Sequence, residues 1–207
     1  MLELFERGGE LMYPILGCSI FALAVIIERL IVLGATRIPS TAEISELLAA
    51  ARSGDPAKAS LLARQARTPV HRVLQAISET RGDEAAQEKA AGLAGDDVLR
   101  ELNLRLPWLA ILGSLVPLMG LLGTVVGMIR VFSRVAEAGD VSDITLLAGG
   151  IWEALLTTAF GLAVAIPILL AYHLLLGKVD RVAFAMRRAG ESYLVAQRES
   201  EASEETA

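Results

Sequence analysis

The sequence predicts an all-α integral membrane protein: three transmembrane helices with long cytoplasmic helical extensions, the N-terminus outside and the C-terminus in the cytoplasm. Three observations predict it. The 207-residue chain is 54% hydrophobic and 21% charged, with a mean hydropathy of +0.52, a membrane protein's balance. Uncharged runs cover Leu11–Ile27, Leu106–Ile129 and Ala154–Gly177. The last two make about 36 Å of helix each, enough to cross a bilayer with some tilt. The first reaches spanning length if Glu28 and Arg29 sit at the interface and Leu30–Gly34 continue the helix. Basic residues are spread unequally: ten Lys and Arg from Arg37 to Arg105 and five from Lys178 onward, against Arg7, Arg130 and Arg134 elsewhere outside the first span. The positive-inside rule therefore puts the middle segment and the tail inside. The net charge of −5 averages over two compartments and says little about partners.

Taken in order, residues 1–10 are an outer N-terminal segment in which Leu2 and Phe5 can share the face of a short interfacial helix. Residues 11–35 are the first span. Cys18 ends Ile-Leu-Gly-Cys, a faint lipobox, but Glu3, Glu6 and Glu10 precede it and the apolar run continues beyond it. It is read as a small buried hydrophobe in an uncleaved span, with no disulfide partner in the chain. Residues 36–105 are a cytoplasmic helical segment with clear start signals. Ser40 with Glu43 makes a capping box, Asp55-Pro56 and Thr68-Pro69 each place a cap before a proline, and Asp83 can cap the helix after it. Ile44, Leu47, Leu48 and Ala51, then Val70, Val73, Leu74 and Ile77, give these helices apolar stripes that pack on one another and on the helix starting at Glu84.

Residues 106–132 are the second span, 133–143 a short outer connection with Asp140 or Ser142 as the next cap, and 144–177 the third span. The short connection makes the two spans antiparallel neighbours. Residues 178–207 are a cytoplasmic extension, amphipathic through Val179, Val182, Met186 and Tyr193, ending in an acidic tail from Glu199 that is expected to be disordered. Nothing resembles a phosphate-cradling loop, a Cys/His metal cluster or a nucleophile elbow, so no enzyme, cofactor or metal is expected. The dispersed basic residues, with acids between them, read as solvated helix surface rather than a nucleic-acid patch.

Function is read from polar and small residues at membrane depth. Gly113, Pro117, Gly120, Thr124 and Gly127 recur at steps of four, three, four and three, which is one helix face, and Gly123 adds to its small residues. Gly150, Ala154, Thr158, Gly161 and Ala165 make a second such face, with Glu153 and Thr157 beside it. Small residues let backbones or water approach closely. Intramembrane acids are costly and normally functional, so Glu153 is the sharpest clue; its other reading is a carboxylate favoured near a helix start. Thr124 and Thr158 are either ion-path hydroxyls or threonines bonded to their own backbone. Pro167 removes a backbone donor at depth, kinking the helix or leaving a carbonyl for a neighbour. His173 is either a proton relay or an interfacial histidine beside Tyr172. Glu28 and Arg29 point to different faces and are read as snorkelling at the inner interface.

Pro117-Leu-Met-Gly-Leu-Leu-Gly-Thr124-Val-Val-Gly-Met, followed by Gly150-Ile-Trp-Glu153-Ala-Leu-Leu-Thr-Thr158-Ala-Phe-Gly-Leu-Ala-Val-Ala-Ile-Pro167, resembles the signature of the MotA/TolQ/ExbB proton-channel family, closest to its ExbB and TolQ branch. The resemblance implies a multi-pass protein of the bacterial inner membrane whose copies form a ring, a pentamer in the family, around two copies of an ExbD/TolR-like single-span partner. The outer segments are then periplasmic, and a TonB/TolA-like protein is a further partner. It implies that Thr124 and Thr158 line the ion path, that Glu153 belongs to its outer part, and that Pro117 and Pro167 shape the helices. Thr157 joins the path as a neighbour. His173 stands where ExbB-like chains often carry asparagine. Three spans rather than MotA's four argue against a flagellar stator. The expected function is a ring-forming subunit of a motor that uses the proton motive force for envelope work such as TonB-dependent uptake. A non-conducting scaffold, with the small faces serving packing only, is the alternative. A small secondary transporter is disfavoured because no internal repeat is visible.

Overall fold

A computed structural model describes residues 8–53, 61–62, 68–80, 83–138 and 144–205, the side chains of 138, 144–147 and 201–205 excepted. All regular structure among these residues is helical: α1 Met12–Ala35, α2 Thr41–Arg52, α3 Pro69–Glu79, α4 Glu84–Asn103, α5 Leu106–Ala138 and α6 Ile144–Glu205. Three of them, α1, α5 and α6, are long and apolar enough to cross a membrane. The expected caps at Asp55 and at Asp140 or Ser142, and the helix carrying Leu2 and Phe5, lie outside the described residues. The chain divides into two compact units, Met1–Arg29 with Arg105–Leu174, and Leu30–Leu104 with Leu175–Ala207.

In the first unit α1, α5 and α6 meet through buried Ile15, Val116 and Ala165, with Cys18, Met119 and Val164 packed around them. Cys18 is half-buried, less enclosed than the sequence suggests. Phe21 of α1 stands edge-on to Trp108 of α5, ring centroids 6.3 Å apart. Large side chains such as Ile20, Ile129, Leu155, Ile166 and Leu170 are exposed. That exposure would be a liability in water; in hydrocarbon it carries no penalty. α6 stays helical through Pro167, and α5 runs six residues past Phe132, to Ala138.

Arg29 corrects the snorkelling picture, since it is only 3% exposed. Its Nε donates to Glu28 Oε2 at 2.6 Å and its Nη2 pairs with Oε1. Arg105 Nη1 reaches the same carboxylate at 3.1 Å. A buried guanidinium is tolerable only beside an anion, and Glu28, whose side chain is 32% exposed, supplies it from the edge of the buried region. Arg105 has φ 68°, the left-handed region, where the chain turns from α4 into α5. A side chain there costs about 1 kcal/mol, so the turn is held by its surroundings.

The second unit is capped as expected. Glu43 N–H donates to Ser40 Oγ at 3.3 Å while Ser40 N–H donates to the Glu43 carboxylate at 2.7 Å, which holds that carboxyl below its usual range. Thr68 and Asp83 cap α3 and α4. Val70, Val73, Leu74 and Ile77 are buried, α3 packing on α4. On α6, Val179, Val182, Met186, Ala189, Tyr193 and Ala196 form one buried stripe at steps of three and four. Each large apolar residue so buried contributes about 2 kcal/mol. The exposed ion pairs Arg72–Glu101 (2.6 Å) and Arg52–Glu199 (3.1 Å) contribute at most about 1 kcal/mol apiece, so apolar burial holds this unit. The acidic tail differs from expectation: α6 continues to Glu205, and Glu199 is tied to Arg52. Its Glu and Ala content favours helix once a long helix leads into it.

α4 carries Gly92 and Gly95 mid-helix, and a Cβ at either would meet nothing within 4 Å. Each costs about 1 kcal/mol relative to alanine.

His71 is buried in this unit, 4% exposed, with Nδ1 2.7 Å from Thr68 Oγ1. Burial pushes its pKa below the usual 6.5; Glu43 opposes the shift and Arg37 adds to it. The neutral form is thus favoured in the fold, and the unfolded chain takes up the proton first as pH falls. Stability is full above the unfolded value of about 6.5 and is lost below it, by at most roughly 1.4 kcal/mol per pH unit until the folded pKa is reached. Thermal unfolding followed by circular dichroism between pH 8 and 5 is expected to show this loss, and His71→Gln to remove that part of the slope.

Candidate functional site

The site is built on the contact between α5 and α6. A Cβ placed on Gly161 would lie 3.0 Å from the Val116 carbonyl oxygen and 3.1 Å from Gly120 Cα; one on Gly120 would lie 3.1 Å from Thr158 Cα. Backbone therefore touches backbone, which only glycine permits. The same antiparallel register sets Gly123 against Thr157, Gly127 against Ala154 and Gly150 against Val131. The packed face of α5 is thus Gly113, Val116, Gly120, Gly123 and Gly127. Pro117 and Thr124 lie to one side of it, half-buried, a division that periodicity alone did not make.

Each hydroxyl has a definite use. Thr158 Oγ1 donates across the interface to the Gly120 carbonyl at 2.8 Å. Thr124 Oγ1 donates to the Leu121 carbonyl at 2.6 Å, one turn back on its own helix, and borders an open apolar groove with Val125, Met128, Ile129 and Phe132. Thr157 is the most deeply buried of the three, 2% exposed, its single hydrogen shared between the carbonyls of Gly8 (2.8 Å) and Glu153 (3.0 Å). The donated hydrogens leave oxygen lone pairs as the groups a water, hydronium or sodium ion would meet.

Glu153 is half-buried, and its carboxylate lies against the Gly9 backbone: a Cβ on Gly9 would fall within contact of Oε1. Gly9 also has φ +75°, so this turn demands glycine twice over. Glu153, Thr157, Gly8, Gly9, Gly123 and Arg130 line a cavity of about 230 Å³. Arg130 Nη2 also meets the Glu10 carboxylate at 3.2 Å. The structure therefore brings together Glu153, Thr157 and Gly123, and adds Gly8, Gly9, Glu10 and Arg130, which the sequence did not single out. The only sequence signal for them was Gly-Gly followed by an acid just before an apolar run. Thr124 and Thr158 are not in this cavity. His173 is exposed, stacked edge-on against Tyr172 with ring centroids 5.1 Å apart, at the other end of the third span. Among the described residues no group of His, Cys, Asp and Glu could hold a metal ion.

Three helices long and apolar enough to span a bilayer, an interface of backbone on backbone, and a carboxylate beside a hydroxyl within it define the class, a helical membrane protein with an internal polar site. Sequence comparison makes the class specific. Residues 59–188 match the profile described as the MotA/TolQ/ExbB proton channel family. The chain is 29% identical to "Biopolymer transport protein exbB1" of Vibrio cholerae over 86% of this chain and 80% of that one. It is 34% identical to "Putative biopolymer transport protein ExbB-like 1" of Synechocystis over 84% of this chain and 70% of the relative. With "Tol-Pal system protein TolQ" of Haemophilus influenzae it shares 37% identity over 45% of this chain. The chain belongs to the MotA/TolQ/ExbB proton channel family, on its ExbB/TolQ branch.

Side chains at the backbone contact should be poorly tolerated. Gly161→Ala is expected to lower stability by roughly 1–3 kcal/mol, because two backbones must separate. Gly177→Ala, where a Cβ meets nothing within 4 Å, should be neutral or stabilising. Unfolding of the detergent-solubilised variants measures both.

Proposed function

We propose that this chain is the ring-forming subunit of an inner-membrane proton-channel motor that works with an ExbD/TolR-like partner. Its membership of a proton channel family supports a complex in the envelope coupled to the proton motive force. The observation that carries the finer reading is Glu153, a carboxylate at membrane depth beside the Thr157 hydroxyl in a cavity near the outer end of the spans. A lipid-facing helix gains nothing from such a group. In this reading the copies form a ring, five in number, around two partner helices, and a TonB- or TolA-like protein receives the work, TonB-dependent uptake being one form of it.

Protons entering from outside meet Glu153 and Thr157 first. Thr124 and Thr158 line the path further in, where their lone pairs order water. Threonine has no useful pKa, so proton storage falls to Glu153 and to a carboxylate on the partner. Alternate charging and neutralisation of that carboxylate changes its attraction to the polar groups and moves one component against the other. Each charge crossing contributes about 2.3 kcal/mol per 100 mV.

A second reading, a non-conducting scaffold, is favoured by one specific fact: the Thr158 hydroxyl and Gly120, Gly123, Gly127 and Gly161 are all engaged in packing α5 on α6. Proton flux into liposomes holding the complex with its partner separates the two. Glu153→Gln and Thr158→Val are expected to lower flux roughly tenfold or more, the scale of a lost proton-transfer group, with the mass of the complex unchanged. Thr158→Ser should restore it. No partner-dependent flux in the wild type would establish the scaffold, and flux equal to wild type in both variants would overturn the roles given to Glu153 and Thr158.

A further inference from the structure

We infer that the second unit carries both halves of a contact between neighbouring copies: a groove between α4 and the end of α6 receives Phe184 of the next copy. This rests on the ring proposed above. The groove, about 350 Å³, is lined on α4 by Glu88, Gly92, Gly95 and Asp96 and on α6 by Met186, Arg187, Gly190 and Glu191 among others, so acids outnumber bases around it three to one. Gly92 and Gly95 weaken their own helix, and no atom of the chain lies where their side chains would be. The fold does not need them there; something that fills the space does. Glu88, Gly92 and Asp96 follow one another at steps of four, so two acids flank a hole along one ridge of α4.

The counterpart is on the exposed face of α6. Phe184 is 66% exposed, and Arg181 and Arg188, three residues before it and four after, share its face. An exposed aromatic between two arginines is the surface that a small-residue hole between two acids would fit. The spacings agree: Glu88 and Asp96 are about 12 Å apart along their helix, Arg181 and Arg188 about 10 Å along theirs. Among the described residues none of these four charges is engaged in an ion pair. In this contact α6 of one copy passes antiparallel to α4 of the next. Arg181 then meets Asp96 of the next copy, and Arg188 meets its Glu88. Knob and hole are different patches of one chain, so the contact is head-to-tail, the type that closes into a ring rather than stopping at a dimer.

The test uses the full chain with its partner in membranes, with Cys18→Ala throughout. Two differently tagged chains are co-expressed, one carrying Phe184→Cys and the other Gly92→Cys, and oxidised. A mixed dimer is expected, with no dimer from either chain alone, because like positions do not meet in a head-to-tail contact. Adding Arg188→Glu to the first chain should remove the band, and adding Glu88→Arg to the second should bring it back. Native mass spectrometry of the wild-type complex is read alongside. Several copies without a mixed dimer overturn the contact and leave the ring standing; a single copy overturns the ring and the contact with it. A band indifferent to both charge reversals also overturns the pairing.

Discussion

The approach of α5 to α6 at Gly120 and Gly161 is the constraint on which the site depends. With a Cβ at either position the helices would part, and every neighbouring relation would loosen. The contact fixes the register that sets Gly123 against Thr157 and Gly127 against Ala154, and it brings the Gly120 carbonyl within reach of Thr158. Lipid offers no hydrophobic drive for association of helices, so close packing and such interhelical hydrogen bonds must supply it. The glycines are therefore structural parts of whatever the polar groups do.

The polar groups at depth divide into two kinds. Thr158 and Thr124 satisfy themselves on carbonyls of α5, while Thr157 and Glu153 line a half-open cavity bordered by the Gly8–Gly9 turn. A channel needs both kinds. Fixed hydroxyls order water without storing charge, and an ionisable group can change its charge as the ion passes. Arg130 and Glu10 place a further cation and anion in the lining of the same cavity.

Much of the architecture was legible in the chain. The three spans follow from run length, because the bilayer's thickness is fixed and backbone groups at depth must be satisfied within a helix. Caps at Ser40, Thr68 and Asp83 follow from local hydrogen bonding, which needs only neighbours in sequence. The α6 stripe from Val179 to Tyr193 follows from helical period. The tail beyond Glu199 was misread because its composition was weighed without the helix that leads into it and the Arg52 that holds it. Arg29 was misread because neighbours in a helix were assumed not to pair, although a guanidinium leaving water can fold back onto an adjacent, partly exposed carboxylate.

By itself the sequence determined the all-helical class, the three helices long and apolar enough to cross a membrane, and the family signature over the second and third of them. Those depend on period, length and residue identity, all one-dimensional quantities. Only the tertiary structure decided which of two adjacent threonines is buried, that Thr124 lies beside rather than within the packed face, and that the Gly8–Gly9 turn borders the cavity of Glu153. The physical reason is that a helix of 3.6 residues per turn sets neighbouring side chains about 100° apart. A small change in where two backbones touch then exchanges the inner residue for its neighbour, and the touching point belongs to the pair of helices, not to either sequence.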